Sequence, residues 1–476
     1  MRIFQKEGNT VDLIAFPEEQ VDIGEYLIIE DHKLEKSLLV QVIDIRYVNV
    51  PGVFEDILRS GMIDNSIDGK DVDPLGASSQ IALLKDTMLL ICKVRGTGSE
   101  GFFSAWGSFL PSRNASTIKH LMIENSIPNS VRLPIHIGSV NKSPLIISAK
   151  SLDGKLNIIT GRKGTGKSHM AKILLLGLIG HGAPCFVFDI NGEYVNLDKT
   201  KRGESDHPYK LKVLTPKKNL KFSIESLGLN PILNMLSHAL DLPWNSTRVF
   251  LTIWNDLYRR GCLKLETLGE AIQNAKCHES IREALGSRYS TMLNSGLFGD
   301  ESEEIEGLDL ARDLGKGGAL IVNLKDQSSV HRRMIVELLL SKISEMLYYE
   351  RLRGVFLFAE EAHLYLRETY WDDIISRMRH IGLFTTFITN QPDTIKENIY
   401  RQADNLFIFN FLNDKDLEMI SRASKIDAES IRLIVRELPP HHCLVLGDVV
   451  DNFPIVTRTR DLEVETMGRT RFFFQE

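Results

Sequence analysis

The chain has 476 residues, of which 43% are hydrophobic and 25% charged, and its formal net charge at pH 7 is −6. These values predict two or three domains of ordinary globular composition, and they exclude binding of nucleic acid through a general excess of positive charge. The longest apolar stretch, 173–179, is too short to cross a bilayer, and the first residues contain no signal-peptide core, so we expect a cytoplasmic protein without membrane contact.

The first part of the chain alternates short apolar runs with turns. Runs rich in β-branched residues occupy 11–16, 26–29, 38–45 and 88–94. Because this alternation is typical of a small barrel, we predict an N-terminal β-barrel domain over 1–140. Inside it we expect a short helix over 53–62 and a loop over 64–79, which is rich in Asp, Gly and Ser.

A glycine-rich loop between an apolar strand and an apolar helix opens the second predicted domain, 141–465. Its glycines permit positive φ, so that backbone N–H groups point inward at phosphate oxygens beside the positive end of the helix. Lys167 would reach the β- and γ-phosphates, and the Ser168 hydroxyl would coordinate a bridging Mg²⁺. A purely structural turn is the alternative, but the complete motif between strand and helix favours nucleotide binding. The candidate nucleotide-binding residues are Gly161, Lys163, Gly164, Thr165, Gly166, Lys167, Ser168 and His169.

The next strand, 185–189, is followed by two acids and then by a basic stretch. Asp189 and Glu193 would lie at the same end of the sheet as the loop, where they either support a metal or base, or hydrogen-bond within their own loop. The stretch 199–221 contains eight Lys or Arg residues against two acidic ones. It is either a solvated charged surface or a loop that contacts a phosphate backbone.

Helical spacing of Leu, Ile, Met and Trp over about 228–298 predicts a helical insertion in the core, and an acidic, glycine-containing loop over 299–307 follows it. Three further apolar strands are predicted at 319–323, 355–359 and 383–389, separated by helical patterns at 334–349 and 371–379. Strands that alternate with helices indicate an α/β fold with a mostly parallel sheet, whose ligands lie at the carboxyl ends of the strands.

Two acids follow the strand at 355–359. Glu360 is predicted to support the metal, through a water molecule, and Glu361 to polarise the attacking water. Capping of a helix that starts at Ala362 is the alternative. After the next strand, Gln391 either senses the γ-phosphate or is a polar turn residue before Pro392.

Taken together, these motifs resemble the HerA branch of the HerA/FtsK ATPases. The resemblance spans nearly the whole chain, including a barrel with Ile23-Gly-Glu-Tyr26 and His136-Ile-Gly138 and closing segments with Leu438-Pro439 and Val445-Leu-Gly447. The core motifs occur in the family's order: the phosphate loop, Asp189-Ile-Asn-Gly-Glu-Tyr194, Glu360-Glu-Ala-His363, Arg379-His-Ile-Gly382 and Asn390-Gln-Pro392.

The resemblance implies a RecA-like P-loop core that binds ATP and Mg²⁺, in a homohexameric ring that moves along double-stranded DNA. Arg379 matches the arginine finger that acts on the neighbouring subunit's ATP, with Arg377 nearby as the other candidate and a surface ion pair as the alternative role. The implied function is a DNA translocase or helicase that works with a separate nuclease or NAD-consuming effector, in DNA end processing or in antiphage defence.

Two other functions share the same core motifs. One is an ATPase platform that assembles and regulates a partner without sustained translocation, and the other is a secretion-type ATPase. The C-terminal tail, 466–476, contains three consecutive phenylalanines and is expected to pack on the chain's own core or to dock on another surface.

Overall fold

A computed structural model describes residues 1–47, 86–99, 102–104, 107–121, 131–200, 210–299, 310–315, 317–365, 380–424 and 426–465. The predicted helices over 53–62 and 371–379, the loop over 64–79 and the tail at 466–476 lie outside these residues. So do Arg377 and Arg379. The chain divides into two compact units, each assembled from separate segments. One unit comprises Met1–Val131, Gly138–Leu145 and Ile408–Arg458, and the other comprises Arg132–Ile137, Ile146–Phe407 and Thr459–Glu476. The domain bounds 1–140, 141–465 and 466–476 stay predictions.

The N-terminal part forms an antiparallel half-barrel in the strand order β1-β2-β5-β4-β3-β7, with β6 paired to β5. One side of each main strand is apolar, and Leu13, Leu27 and Val40 are among the residues that are fully buried between the strands. The four strands predicted in this region are present, and the structure adds three. The strands are β1 Arg2–Glu7, β2 Thr10–Ala15, β3 Tyr26–Asp31, β4 Lys36–Tyr47, β5 Met88–Ser99, β6 Phe102–Ser104 and β7 Ser116–His120.

The core is an α/β structure with a parallel sheet, as the alternating pattern predicts. The strand order is β12-β13-β11-β14-β15-β10-β16, and the pairs β10–β15, β11–β13, β11–β14, β12–β13 and β14–β15 are all parallel. Two further strands, β8 and β9, come before β10 in the chain. The bounds are β8 Pro134–Val140, β9 Ser143–Ser148, β10 Asn157–Thr160, β11 Pro184–Asp189, β12 Leu211–Leu214, β13 Gly318–Asn323, β14 Val355–Glu360, β15 Leu383–Thr389 and β16 Asn405–Ile408.

Two strands of this sheet, β12 and β16, were not predicted. Strand β12 lies inside the basic stretch, at the edge of the sheet, where Leu214 is buried while Leu211 and Val213 are half-buried. This strand, Leu-Lys-Val-Leu, is short and has lysines in and around it, as is common for edge strands, so its apolar residues do not form a recognisable run.

The helix after the phosphate loop, the helical insertion and the helix predicted at 334–349 are present, whereas two short helices, 310–315 and 397–401, were not predicted. Helix α1 packs on β10, β11 and β15, and the helical insertion lies between β12 and β13 in the chain. A π-helical turn, Met235–Ala239, continues α3. The helices are α1 Lys167–Gly180, α2 Ile224–Leu227, α3 Leu229–Asn234, α4 Trp244–Arg259, α5 Leu265–Gln273, α6 Glu279–Asn294, α7 Leu310–Gly315, α8 Ser329–Tyr348 and α9 Glu397–Arg401.

The last segment of the N-terminal unit joins the half-barrel through polar contacts, of which those to Pro454 are buried. It contains α10 Asp414–Ala423, α11 Ala428–Glu437 and an antiparallel pair, β17 His442–Gly447 and β18 Ile455–Thr459. The Tyr26 hydroxyl and the Gln41 side-chain amide both donate to the carbonyl of Pro454, each over 2.8 Å. Arg95 donates to Asp427 over 3.2 Å and to Ser430 over 2.8 Å. This unit therefore combines residues more than 300 positions apart in sequence.

Candidate active site

The glycine-rich loop follows β10 and has the conformation of an anion-binding turn. Gly164 has φ +82° and Gly166 has φ +117°, in the left-handed region where a side chain is strained. The Thr165 hydroxyl and the Lys167 ammonium both donate to the carbonyl of Arg162, over 2.8 and 3.1 Å, and so hold the loop closed on itself. Gly166, the N-cap of α1, provides no side-chain cap, so the first N–H groups of the helix stay available to a phosphate.

Lys167 is a buried cation surrounded by carboxylates. Burial lowers its pKa, and the nearby Glu361, Glu360 and Glu193 act in the opposite direction. An ammonium with this much burial and so few hydrogen bonds is stabilised when an anion approaches it. The geometry therefore suits a Lys that binds phosphate.

Glu360, the last residue of β14, is the acid that meets the loop. The Ser168 hydroxyl donates to Oε1 over 2.5 Å and the Tyr194 hydroxyl donates to Oε2 over 2.9 Å. The side chain is almost completely buried, and burial raises its pKa to about 7, while both hydrogen bonds act to lower it. The strand order explains the meeting, because only β15 lies between β10 and β14.

The oxygens gathered at this point suit a small hard cation. Mg²⁺ prefers carboxylate, hydroxyl and water oxygens, and the Ser168 hydroxyl and Glu360 carboxylate provide two such groups in contact with each other. A buried carboxyl whose pKa is raised by desolvation is also a group that a nearby divalent cation would return to its charged form.

Glu361 differs from its neighbour in backbone and in surroundings. Its φ is +48°, an unusual value for a residue with a side chain. Its Oε2 atom is buried and lies 3.4 Å from Nδ1 of His363, and within the described residues it has no hydrogen-bond partner. Burial lowers the pKa of His363, whose Nδ1 also lies 3.2 Å from the Thr389 hydroxyl. A carboxylate oxygen without a donor is suited to accept a hydrogen bond from a water molecule.

The two acids, Glu360 and Glu361, do not cap a regular helix in the described residues. Ala362–Leu364 forms only a single 3-10 turn, and the Glu360 carboxylate accepts from two hydroxyl groups. Gln391 follows β15 on the same end of the sheet, with an exposed side chain. Its N–H donates to the Thr389 hydroxyl over 3.1 Å and its carbonyl accepts from Thr394 over 2.7 Å, so the backbone of this turn is fixed.

The loop after β11 supports the site from a second direction. Both carboxylate oxygens of Asp189 accept backbone N–H groups, from Glu193 and from Tyr194, each over 2.9 Å. Burial raises the pKa of Asp189, and these hydrogen bonds oppose the rise. Glu193 pairs with the buried Lys172 over 3.2 Å. Of the two roles left open for Asp189, hydrogen bonding within its own loop is the one that the geometry shows.

Three residues at the site were not predicted. Lys172 is the one charged side chain in the interior of an otherwise apolar helix, α1. This pattern signals a buried ion pair. Tyr194 ends the Asn-Gly-Glu-Tyr run and its hydroxyl reaches Glu360, while the Tyr365 hydroxyl donates to the Glu360 carbonyl over 3.1 Å. Tyr194 stands in a motif that resembles the HerA family, but the motif did not assign it a role, and nothing in the local sequence distinguishes Tyr365 from an ordinary core residue.

A glycine-rich loop between a strand and a helix, with an acid-bearing strand separated from that strand by one other in a parallel sheet, defines a P-loop NTPase. The chain is an ATP-hydrolysing enzyme of this class. Residues 135–343 match the family model described as helicase HerA, central domain. Over these residues the chain is similar to that family.

Solved structures show the same fold. VirB4 of Thermoanaerobacter pseudethanolicus is 14% identical with a TM-score of 0.53, over 71% of this chain and 98% of its own. The bacterial conjugative coupling protein TrwB is 12% identical with a TM-score of 0.53, over 73% and 92%. The comparison with curated proteins gave no match. In the described part of the chain, no helix is both long and apolar enough to span a membrane.

Proposed function

We propose that this protein is an ATP-dependent translocase or helicase of double-stranded DNA, which acts as a homohexameric ring together with a separate effector chain. The observation that carries the proposal is the match to the HerA central-domain model over 135–343, which includes the phosphate loop of the site. DNA end processing and antiphage defence are the two settings in which such a motor with a nuclease or NAD-consuming partner would work.

The proposed chemistry is hydrolysis of ATP with Mg²⁺. Lys167 and the N–H groups of the loop would bind the β- and γ-phosphates, and Ser168 with Glu360 would hold the cation. When bound, the cation neutralises charge that develops on the phosphates. Glu361, with an oxygen free of donors, would accept a hydrogen bond from the attacking water and later its proton.

Two further groups complete the proposed site. Gln391, at the end of β15, would respond to the γ-phosphate and couple its presence to the neighbouring turn. Arg379 would come from the adjacent subunit and stabilise transition-state charge. In this arrangement, hydrolysis requires the ring.

Contacts to DNA are proposed for the turn after β12. Lys217 and Lys218 lie there with exposed side chains, whereas Lys212 is paired with Asp313 over 2.5 Å. Exposed lysines that neutralise phosphates release counterions, so their contribution falls with rising salt and is independent of base sequence. A solvated surface would contribute nothing.

The rate of ATP hydrolysis with and without linear duplex DNA, at two salt concentrations, tests the proposal. We expect stimulation by DNA that is weaker at high salt. Replacing Lys217 and Lys218 by Ala should reduce the slope of the logarithm of the affinity for duplex DNA against the logarithm of the salt concentration by about 2. Lys415→Ala, at another exposed lysine, serves as the control. A rate of hydrolysis that is unaffected by DNA but changed by a partner chain would favour an assembly platform. Stimulation by a protein substrate would favour a secretion-type ATPase.

A further inference from the structure

One face of α1 carries a row of contacts that leads to the phosphate loop. His169, Gly177 and His181 lie on a common stripe, because residues four apart in a helix are neighbours on its surface. His181 Nε2 donates to the Pro134 carbonyl over 2.9 Å, and a Cβ on Gly177 would lie 2.6 Å from Ile135. Strand β8 therefore runs along this stripe, toward the N-terminal end of the helix.

Arg460 lies where this row reaches the phosphate loop. Its N–H donates to the Ile137 carbonyl over 3.1 Å, and its own carbonyl accepts from Nε2 of His169 over 2.7 Å. His169 is the residue directly after Ser168. The segment that follows β18 therefore lies against the first turn of α1, at the end where the helix binds anions.

The guanidinium of Arg460 has a hydrogen-bond donor without an acceptor in the described part of the chain. Its Nε atom is buried, and within the described residues it has no hydrogen-bond partner. A buried guanidinium N–H without an acceptor is costly, because the donor has lost water and gained nothing in exchange. The backbone of Arg460 contacts the residue after Ser168, and an anionic oxygen within reach of the Nε atom would satisfy this donor.

The helix geometry indicates which phosphate is involved. Ser168 and Lys172 are on one stripe of α1, and they contact Glu360 and Glu193 respectively. His169 is rotated by about 100° from Ser168 around the helix axis. The γ-phosphate belongs beside the carboxylates, where water is activated, so the opposite end of the triphosphate lies toward His169 and Arg460.

We infer that Arg460 binds the nucleotide itself, donating from its guanidinium to an oxygen of the α-phosphate, and that His169 positions it through the backbone carbonyl. This inference rests on the proposed nucleotide site. It gives the segment after β18 a role in holding the part of the ligand that ATP and ADP share. The residue would act in its own subunit, because it contacts the helix that follows its own phosphate loop.

The affinities of ATP, ADP and GTP for Arg460→Ala, Arg460→Lys and the unaltered protein test this inference. Hydrogen bonds to charged groups predict that Arg460→Ala weakens ATP and ADP alike by roughly ten- to a hundredfold. The Lys variant should recover only part of the loss, since it keeps the charge without the Nε donor. GTP should weaken by the same factor as ATP. Arg458→Ala, at an exposed arginine two residues earlier, is the matched control.

Three results would overturn the assignment. These are unchanged affinity in a folded Arg460→Lys protein, a loss for ATP without a loss for ADP, and altered preference between ATP and GTP. Thermal unfolding of the nucleotide-free proteins identifies variants that fail to fold, and the Lys variant then carries the test. Lys167→Ala separates the two proposals. If it leaves nucleotide binding intact, the site itself is wrong, whereas its loss of binding beside an unaffected Arg460 variant refutes only the role of Arg460.

Discussion

The most informative single substitution at the site is Tyr194→Phe. It removes one hydroxyl group, which donates to Oε2 of Glu360 over 2.9 Å from a fully buried ring. The remaining contacts of the ring, including the Lys172 ammonium 5.2 Å from its centre, are retained. The substitution therefore tests the environment of Glu360 with little change in packing.

The expected effect is a shift in pH dependence. Burial raises the pKa of Glu360 to about 7, and the Tyr194 hydrogen bond is one of the contacts that oppose this rise. A hydrogen bond to a charged group contributes about 1.5 kcal/mol or more, and one pKa unit corresponds to about 1.4 kcal/mol. Loss of the hydroxyl should therefore raise the pKa of Glu360 by about one unit and leave less of the carboxylate ionised at neutral pH.

The assay is Mg²⁺-dependent ATP hydrolysis measured between pH 5.5 and 9. In Tyr194→Phe, the acid limb of the profile should move upward by about one pH unit, and more Mg²⁺ should be required at pH 7 than at pH 8.5. Tyr365→Phe is the matched control, because that hydroxyl donates to the Glu360 carbonyl and not to its carboxylate. An acid limb that stays in place in a folded Tyr194→Phe protein would refute the reasoning.

Three further predictions concern the loop, a buried acid and a close backbone contact. Lys167→Ala should abolish ATP turnover without unfolding the protein, as phosphate release and thermal unfolding would show; undiminished turnover contradicts the site. Burial raises the pKa of Glu337 in α8 from 4.5 to about 8, so its stabilisation is complete below about pH 4.5 and is lost as pH rises through 8. Glu337→Gln should therefore lose less thermal stability between pH 6 and pH 9 than the unaltered chain, and equal losses would contradict this. Gly138→Ala would place a Cβ 2.1 Å from the Arg458 carbonyl and should destabilise by about 2 kcal/mol or more, whereas Gly286→Ala, in an open helical position, should be neutral or stabilising; similar denaturation midpoints for the two would be evidence against the close contact.

The sequence was sufficient to predict the α/β core, because its strands are continuous apolar runs that end in distinctive residues. The loop at 161–168 and the acids after β14 are recognisable by local spacing alone. Since both follow strands of one parallel sheet, their meeting at the carboxyl ends could be expected. The contact between Ser168 and Glu360 is the outcome of that rule.

Contacts between distant segments could not be read from the sequence. Tyr194 reaches Glu360 across 166 positions, and Arg460 meets His169 across 291. Neither pairing leaves a local pattern, because the fold alone brings the partners together. Strand β12 was missed for a different reason, since lysines flank and interrupt a run of only four residues.

The half-barrel contains both strands that the local sequence predicts and contacts with a distant segment that it does not predict. Four of the seven strands described there were predicted from alternation, but the contacts with residues 408–458 were not. Tyr26 belongs to a short motif that resembles the HerA family, and its hydroxyl donates to Pro454. Gly24 of the same motif has φ +92°, and a Cβ there would lie 2.4 Å from Val456. The motif is therefore explained by a close contact with the hairpin formed by β17 and β18.

Movement along DNA is tested most directly by the displacement of a third strand bound at the end of a linear duplex. The protein should release this strand faster with ATP and Mg²⁺ than without nucleotide, with a delay that grows with the length of duplex to be crossed, and Lys167→Ala should abolish the release. Hydrolysis of ATP that never accelerates release, at any duplex length, would contradict the proposal that this enzyme is a DNA motor.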